Sequence, residues 1–153
     1  MVNIGDKAPS FELPSNGEGT IKIPAGKPTV LFFYPKDDTP GCTTEAKGFS
    51  ALQKDFEKLG VEIVGLSPDK VAKHDKFVAK HELTVPLVSD EEHVALQAYG
   101  VWVEKSMYGR TYMGVERSTY LIAADGVILE VWRKVRVKGH VEAVFEAAKQ
   151  HFG

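Results

Sequence analysis

Residues 29–34, Thr-Val-Leu-Phe-Phe-Tyr, form an unbroken apolar, β-branched and aromatic run between Pro28 and Pro35, the pattern of a strand buried on both faces of a sheet. Beyond a polar break, Phe49, Leu52, Phe56 and Leu59 recur at helical spacing and stop at Gly60, which predicts a helix with a glycine at its C-terminal end. Residues 61–66, Val-Glu-Ile-Val-Gly-Leu, read as a second strand. Strand, helix and strand then make a βαβ unit with a right-handed crossover.

Ser67-Pro68 predicts the start of a second helix, running through Val71, Phe77 and Val78 to about His81. Residues 85–88 read as a short extended piece and residues 91–98 as a short helix ending near Gly100. The stretch 101–116, with Trp102, Tyr108, Gly109, Tyr112 and Gly114, reads as a loop carrying aromatics. Two apolar runs, 118–122 and 127–132, flank Ala124-Asp125-Gly126, a turn signal for an antiparallel hairpin. Val141, Val144, Phe145, Ala148 and Phe152 fall on one face of a closing helix. The fold class is therefore α/β, a central mixed sheet flanked by helices.

A chain of 153 residues with 43% hydrophobic content suffices for one core, so residues 1–153 are expected to form a single domain. The net charge of −2, with both signs interspersed, offers no basic footprint for nucleic acid. No apolar run approaches the roughly 20 residues of a membrane span, and Met1-Val2-Asn3-Ile4-Gly5-Asp6-Lys7 lacks the layout of a signal peptide. A cytoplasmic location and no membrane partner are expected. One cysteine, Cys42, cannot form an internal disulfide and suits a reducing compartment.

Cys42 lies where the first strand meets its helix. Thr39 can serve as N-cap and Pro40 as the first helical residue, which puts Cys42 in the first turn. Free backbone N–H groups and the helix dipole there favour a thiolate, the form of cysteine that attacks or ligates. A lone cysteine is more often an inert, buried hydrophobe. The polar approach Lys36-Asp37-Asp38-Thr39 argues against deep apolar burial. Asp37 and Asp38 disfavour a thiolate, so they must point away or be compensated by a cation.

Pro35-x-x-x-Thr39-x-x-Cys42 matches the active-site signature of peroxiredoxins, and residues 33–46, from Phe33-Tyr34-Pro35 to Cys42-Thr43-Thr44-Glu45-Ala46, resemble the bacterioferritin comigratory, or PrxQ, branch. Segments 5–11 and 116–122 resemble family segments as well. The resemblance implies a thioredoxin-like fold and a thiol peroxidase in which Cys42 attacks hydrogen peroxide or an organic hydroperoxide. It nominates Thr39, the Cys42 N–H and Arg117 as donors to the peroxide oxygens, Pro35 as a shield for the sulfur, and Glu45 as a partner that orients Arg117. Many members of the branch carry a resolving cysteine five residues after the first, and Lys47 stands there. A one-cysteine cycle with an external thiol remains, the reductant being thioredoxin, glutaredoxin with glutathione, or a small thiol. No cofactor or metal is required. The expected state is a monomer, with a dimer as the alternative.

Other chemistries fit less well. A dithiol oxidoreductase needs Cys-x-x-Cys, and position 39 is Thr; a cysteine phosphatase needs an arginine six residues after its nucleophile, and that position is Gly48. A redox-inert thioredoxin-like binding module is the non-enzyme alternative. Thr39, Arg117, Pro35 and Glu45 also have bland roles: cap, surface cation, turn-maker and first-turn acid. His74 and His81 could share a helix face, yet no third zinc ligand accompanies them, so the five histidines are expected to be solvated or capping. The Met107 to Met113 segment could line the organic group of a peroxide or simply pack on the sheet edge.

Overall fold

The computed structural model describes residues 2–153. Its centre is a five-stranded mixed sheet built from β3 (Thr29–Phe33), β4 (Glu62–Ser67), β5 (Leu87–Ser89), β8 (Ser118–Ile122) and β9 (Ile128–Trp132), in the order β5-β4-β3-β8-β9. β3 runs parallel to β4 and antiparallel to β8, with Phe33 opposite Leu66 on one side and Ser118 on the other. The C-terminal end of β3 therefore meets the N-terminal end of β8. That register sets Cys42, which follows β3, beside Arg117, which precedes β8.

Alternation along β3 serves two cores. Val30, Phe32 and Tyr34 face helices α1 (Pro40–Lys58) and α4 (His140–Phe152), packing with Phe49, Phe56, Val141 and Val144, while Phe77 of α2 (Val71–His81) joins the same layer. Leu31 and Phe33 face the other way, onto Tyr99, Tyr120 and α3 (Val94–Ala98). Both sets are fully buried, as a mid-sheet strand requires. Gly65 is dictated by this packing, because a Cβ there would lie 2.6 Å from Cζ of Phe32.

Several elements depart from the sequence reading. Ser67 ends β4 rather than capping α2, whose N-cap is Lys70; the Ser67 hydroxyl instead donates to Asp69 at 2.7 Å. α3 begins at Val94, since Asp90 accepts from the backbone N–H groups of Val94 and Leu96. An antiparallel N-terminal pair, β1 (Phe11–Pro14) and β2 (Thr20–Ile23), was not anticipated. The expected aromatic loop is a second hairpin, β6 (Trp102–Met107) with β7 (Arg110–Val115). It turns on Tyr108 and Gly109, both left-handed at φ 53° and 76°, the geometry of a tight two-residue hairpin. Most of its residues are exposed, so no alternation of apolar and polar positions announced it.

Candidate active site

α1 begins as its sequence predicts. Thr39 is extended at φ −90° and ψ 155°, Pro40 is the first helical residue, and Cys42 follows in the first turn, where backbone N–H groups lack intrahelical acceptors. The Thr39 hydroxyl makes no cap bond; it donates to the Lys36 carbonyl at 2.9 Å, tightening the loop before the helix. Cys42 is only 1% exposed, against the expectation from its polar approach. The loop's polar side chains turn away from the sulfur, and the sulfur side joins the apolar layer of Tyr34, Ala46 and Phe49.

Arg117 reaches this site from the residue before β8. Its Nη2 donates to Cys42 Sγ at 3.2 Å and its Nη1 to Glu45 Oε1 at 2.7 Å, so one planar fork ties thiol and carboxylate together. Gly41 leaves room for it, since a Cβ there would sit 3.3 Å from Nη2. Burial works against the guanidinium's charge, yet Glu45 and Cys42 outweigh it and raise the Arg117 pKa. Burial pushes the Glu45 carboxyl up and Arg117 opposes it, leaving the group at about 7.

Behind Glu45 lies a residue the sequence reading missed. His140, the first residue of α4, shares a 2.8 Å hydrogen bond between Nε2 and the Thr119 hydroxyl, and the same nitrogen stands 3.7 Å from Glu45 Oε2. Glu45 Oε2 is the one buried side-chain oxygen or nitrogen without a hydrogen-bond partner among the described residues. Burial, reinforced by the Arg117 charge, lowers the His140 pKa to about 4. The ring is therefore neutral at pH 7. No local sequence signal marked His140, which was expected, with the other histidines, to be solvated or capping.

The two acids before Cys42 are compensated. Asp38 pairs with Lys80 and His81, each at 2.7 Å, and these hold its carboxyl below the usual range. Asp37 is buried, accepts from the Tyr34 hydroxyl at 2.7 Å and meets His74 Nδ1 at 2.6 Å. His74 Nε2 lies 2.9 Å from the Val88 carbonyl. His74 and His140 are thus buried, not solvated or capping. Ligand atoms of Asp37, Asp69 and His74 lie within 4.8 Å of one another, a cluster without His81, which pairs with Asp38 instead. All three are already engaged: the Asp69 carboxylate accepts from the Asp37 N–H, Ser67 and Lys73. Hydrogen bonding accounts for this cluster without an ion.

Pro35 and Arg117 share the wall of a recess of about 420 Å³ with Val103, Glu104, Lys105, Glu116, Lys134 and Val135. Met107, Tyr108, Arg110 and Tyr112 line a separate hollow, so the aromatic tip of the β6–β7 hairpin does not line this recess. Lys47 is exposed on α1.

A helix-start thiol held by an arginine fork, on a thioredoxin-like sheet, defines a peroxiredoxin. Residues 4–131 match the AhpC/TSA family, to which the chain belongs. It is a thiol-dependent peroxidase of the bacterioferritin comigratory branch, with one cysteine. It is 46% identical to Peroxiredoxin Bcp of Xanthomonas campestris over 148 residues, covering 94% of this chain and 92% of that protein. Peroxiredoxin Bcp of Bacillus subtilis is 46% identical over 150 residues, covering 97% and 96%. A solved structure of the Xanthomonas campestris bacterioferritin comigratory protein, described for alkyl peroxide reduction, superposes with a TM-score of 0.89 at 43% identity, covering 94% of this chain and 92% of that one. A peroxide substrate and a thiol reductant follow from this membership, and the binding-module reading falls away. Among the described residues no helix is long and apolar enough to cross a membrane.

Proposed function

We propose that Cys42 is the peroxide-reducing nucleophile and that Arg117 is its electrostatic partner, working in a single domain spanning residues 1–153. The observation that carries this reading is the 3.2 Å approach of Arg117 Nη2 to Cys42 Sγ. The thiolate attacks one oxygen of hydrogen peroxide or an organic hydroperoxide, forming the S–O bond and breaking the O–O bond. The other oxygen leaves with the bonding pair and takes up a proton to become water or an alcohol. Charge develops on both oxygens, and donors fixed beforehand stabilise it. Arg117, the Cys42 N–H and the Thr39 hydroxyl supply them, the last after leaving the Lys36 carbonyl. Pro35 shields the sulfur, and Glu45 orients the guanidinium through its 2.7 Å bond.

With Lys47 in place of a second thiol, the sulfenic acid is resolved by an external thiol. Thioredoxin, glutaredoxin with glutathione, and small thiols are the candidate reductants. The reading takes the protein as a cytoplasmic monomer, with a dimer as the alternative. Mass spectrometry after stoichiometric peroxide tests it: Cys42 gains one oxygen far faster than a free thiol, and Cys42→Ser abolishes the gain. Excess peroxide without reductant yields sulfinic acid. Oxidation no faster than a model thiol would sink the nucleophile, and a dominant Cys42–Cys42 linked dimer would replace the external thiol by a partner subunit.

A further inference from the structure

The chain between β9 and α4 carries a charge pattern that peroxide reduction does not explain. In residues 133–138, Arg-Lys-Val-Arg-Val-Lys, the cations Lys134, Arg136 and Lys138 are exposed while Val135 and Val137 between them are half-buried. Lys134 is left-handed at φ 50°, a conformation rare for a residue with a long side chain. It turns the segment back so that the Val135 N–H donates to the Arg117 carbonyl at 3.0 Å. Further along, Val137 lies against Gly41, one residue before the nucleophile.

Lys134, Val135, Arg136 and Lys138 line a recess of about 470 Å³ with Trp132, Arg133, His140 and Ala143, and no carboxylate lines it. Arg133 is committed elsewhere, donating to the Val2 carbonyl and to Asn3. Lys134, Arg136 and Lys138 enter none of the ion pairs among the described residues. Lys134 and Val135 also line the recess over Pro35 and Arg117, so the two hollows adjoin. Of the acids around the two hollows, Glu104 and Glu116 line the Arg117 end alongside Lys105, and Glu142, in the first turn of α4, acts on His140 from outside the lining. Three cations outside any ion pair, in a ligand-sized concavity that adjoins the Arg117 recess, outnumber the nearby Glu142 and suit a small anion.

We propose that this basic recess docks the resolving thiol, and that the thiol is a low-molecular-weight one carrying carboxylates, of which glutathione is the probe. The inference rests on the reading of Cys42 as the nucleophile. The thiolate of the docked molecule attacks the sulfur of the Cys42 sulfenic acid; an S–S bond forms, the S–O bond breaks, and the oxygen leaves as water after taking up a proton. A second thiolate then attacks the sulfur of the bound thiol, releasing the Cys42 thiolate and a low-molecular-weight disulfide.

The test compares thiols of opposite charge. The protein is oxidised with one equivalent of peroxide, and the rate of mixed-disulfide formation is followed with glutathione and, separately, with cationic cysteamine. The ratio of the two rates does not depend on how much protein is active. The expected result is that combined Lys134→Glu, Arg136→Glu and Lys138→Glu exchange lowers the glutathione-to-cysteamine ratio at least about tenfold, as reversed charge at a docking site does. In the wild type, raising salt from about 0.02 M to about 0.5 M lowers the ratio in the same direction, because screening shortens the reach of these charges. Arg136→Glu alone gives a smaller drop. An unchanged ratio in the triple variant, or a wild-type ratio indifferent to salt, overturns the proposal, as does thioredoxin outpacing glutathione with equal rates in both proteins. If peroxide leaves no sulfenic acid, the mass recorded before any thiol is added shows that the nucleophile reading has failed, and the docking proposal falls with it.

Discussion

Two buried polar networks flank the end of β3, and they differ in completeness. On the α2 side, Asp37, His74, Tyr34, Asp69 and Ser67 are hydrogen-bonded to one another or to backbone. On the α4 side, Arg117, Glu45, His140 and Thr119 leave Glu45 Oε2 without a partner, 3.7 Å from His140. A satisfied network in a low-dielectric interior fixes geometry, whereas a partly satisfied one costs stability. The satisfied network anchors the loop that delivers Pro35 and Thr39. The unsatisfied one touches the sulfur through Arg117, so the unmet polar group sits next to the proposed chemistry, where changes of charge have consequences.

The sharpest way to break this contrast is to remove the guanidinium. Arg117→Ala is expected to lower the second-order rate constant for peroxide about 10²- to 10³-fold, the scale of losing one donor to a charged transition state. Stopped-flow oxidation measures it, and a loss below about threefold would mean the fork is structural. The opposite side should respond in stability. His74→Ala empties a fully buried site and leaves Asp37 short of a partner, a change of about 2–5 kcal/mol for a core cavity with a lost hydrogen-bond partner. Denaturant midpoints would show it. The rate constant of the folded fraction should fall less than in Arg117→Ala; an equal fall would erase the distinction between the two networks.

Legibility followed the same divide. The β3-α1-β4 unit, the Thr39-Pro40-Cys42 helix start and the β8–β9 hairpin were readable because each is encoded within a short window: an apolar run, a cap with proline, a turn triplet. The family signature nominated Arg117, 75 residues from Cys42, and antiparallel pairing of β3 with β8 explains how the two meet. His140 and His74 escaped because burial and long-range partners define them. His140 meets Glu45 only after α4 docks on α1, and His74 meets Asp37 only after α2 docks beside the loop. The β6–β7 hairpin escaped for another reason: strands exposed on most of both faces carry no alternation.

The smallest expected effect comes from the unsatisfied pair, because its two members oppose each other. Glu45 is raised from 4.5 to about 7, so between those pH values the folded state holds more protons than the unfolded one and stability falls as pH rises. Its full range corresponds to about 3 kcal/mol. His140 is lowered from 6.5 to about 4, so over that window the unfolded state holds more protons and stability rises with pH. Between pH 4.5 and 6.5 the slopes cancel, and the wild type should be nearly flat there. Each variant exposes the other group. Glu45→Gln should leave stability rising with pH through the His140 window, and His140→Phe should leave it falling through the Glu45 window. Chemical denaturation at half-unit pH steps reads both slopes. Parallel slopes in the two variants would show that Glu45 and His140 do not titrate as an opposed pair.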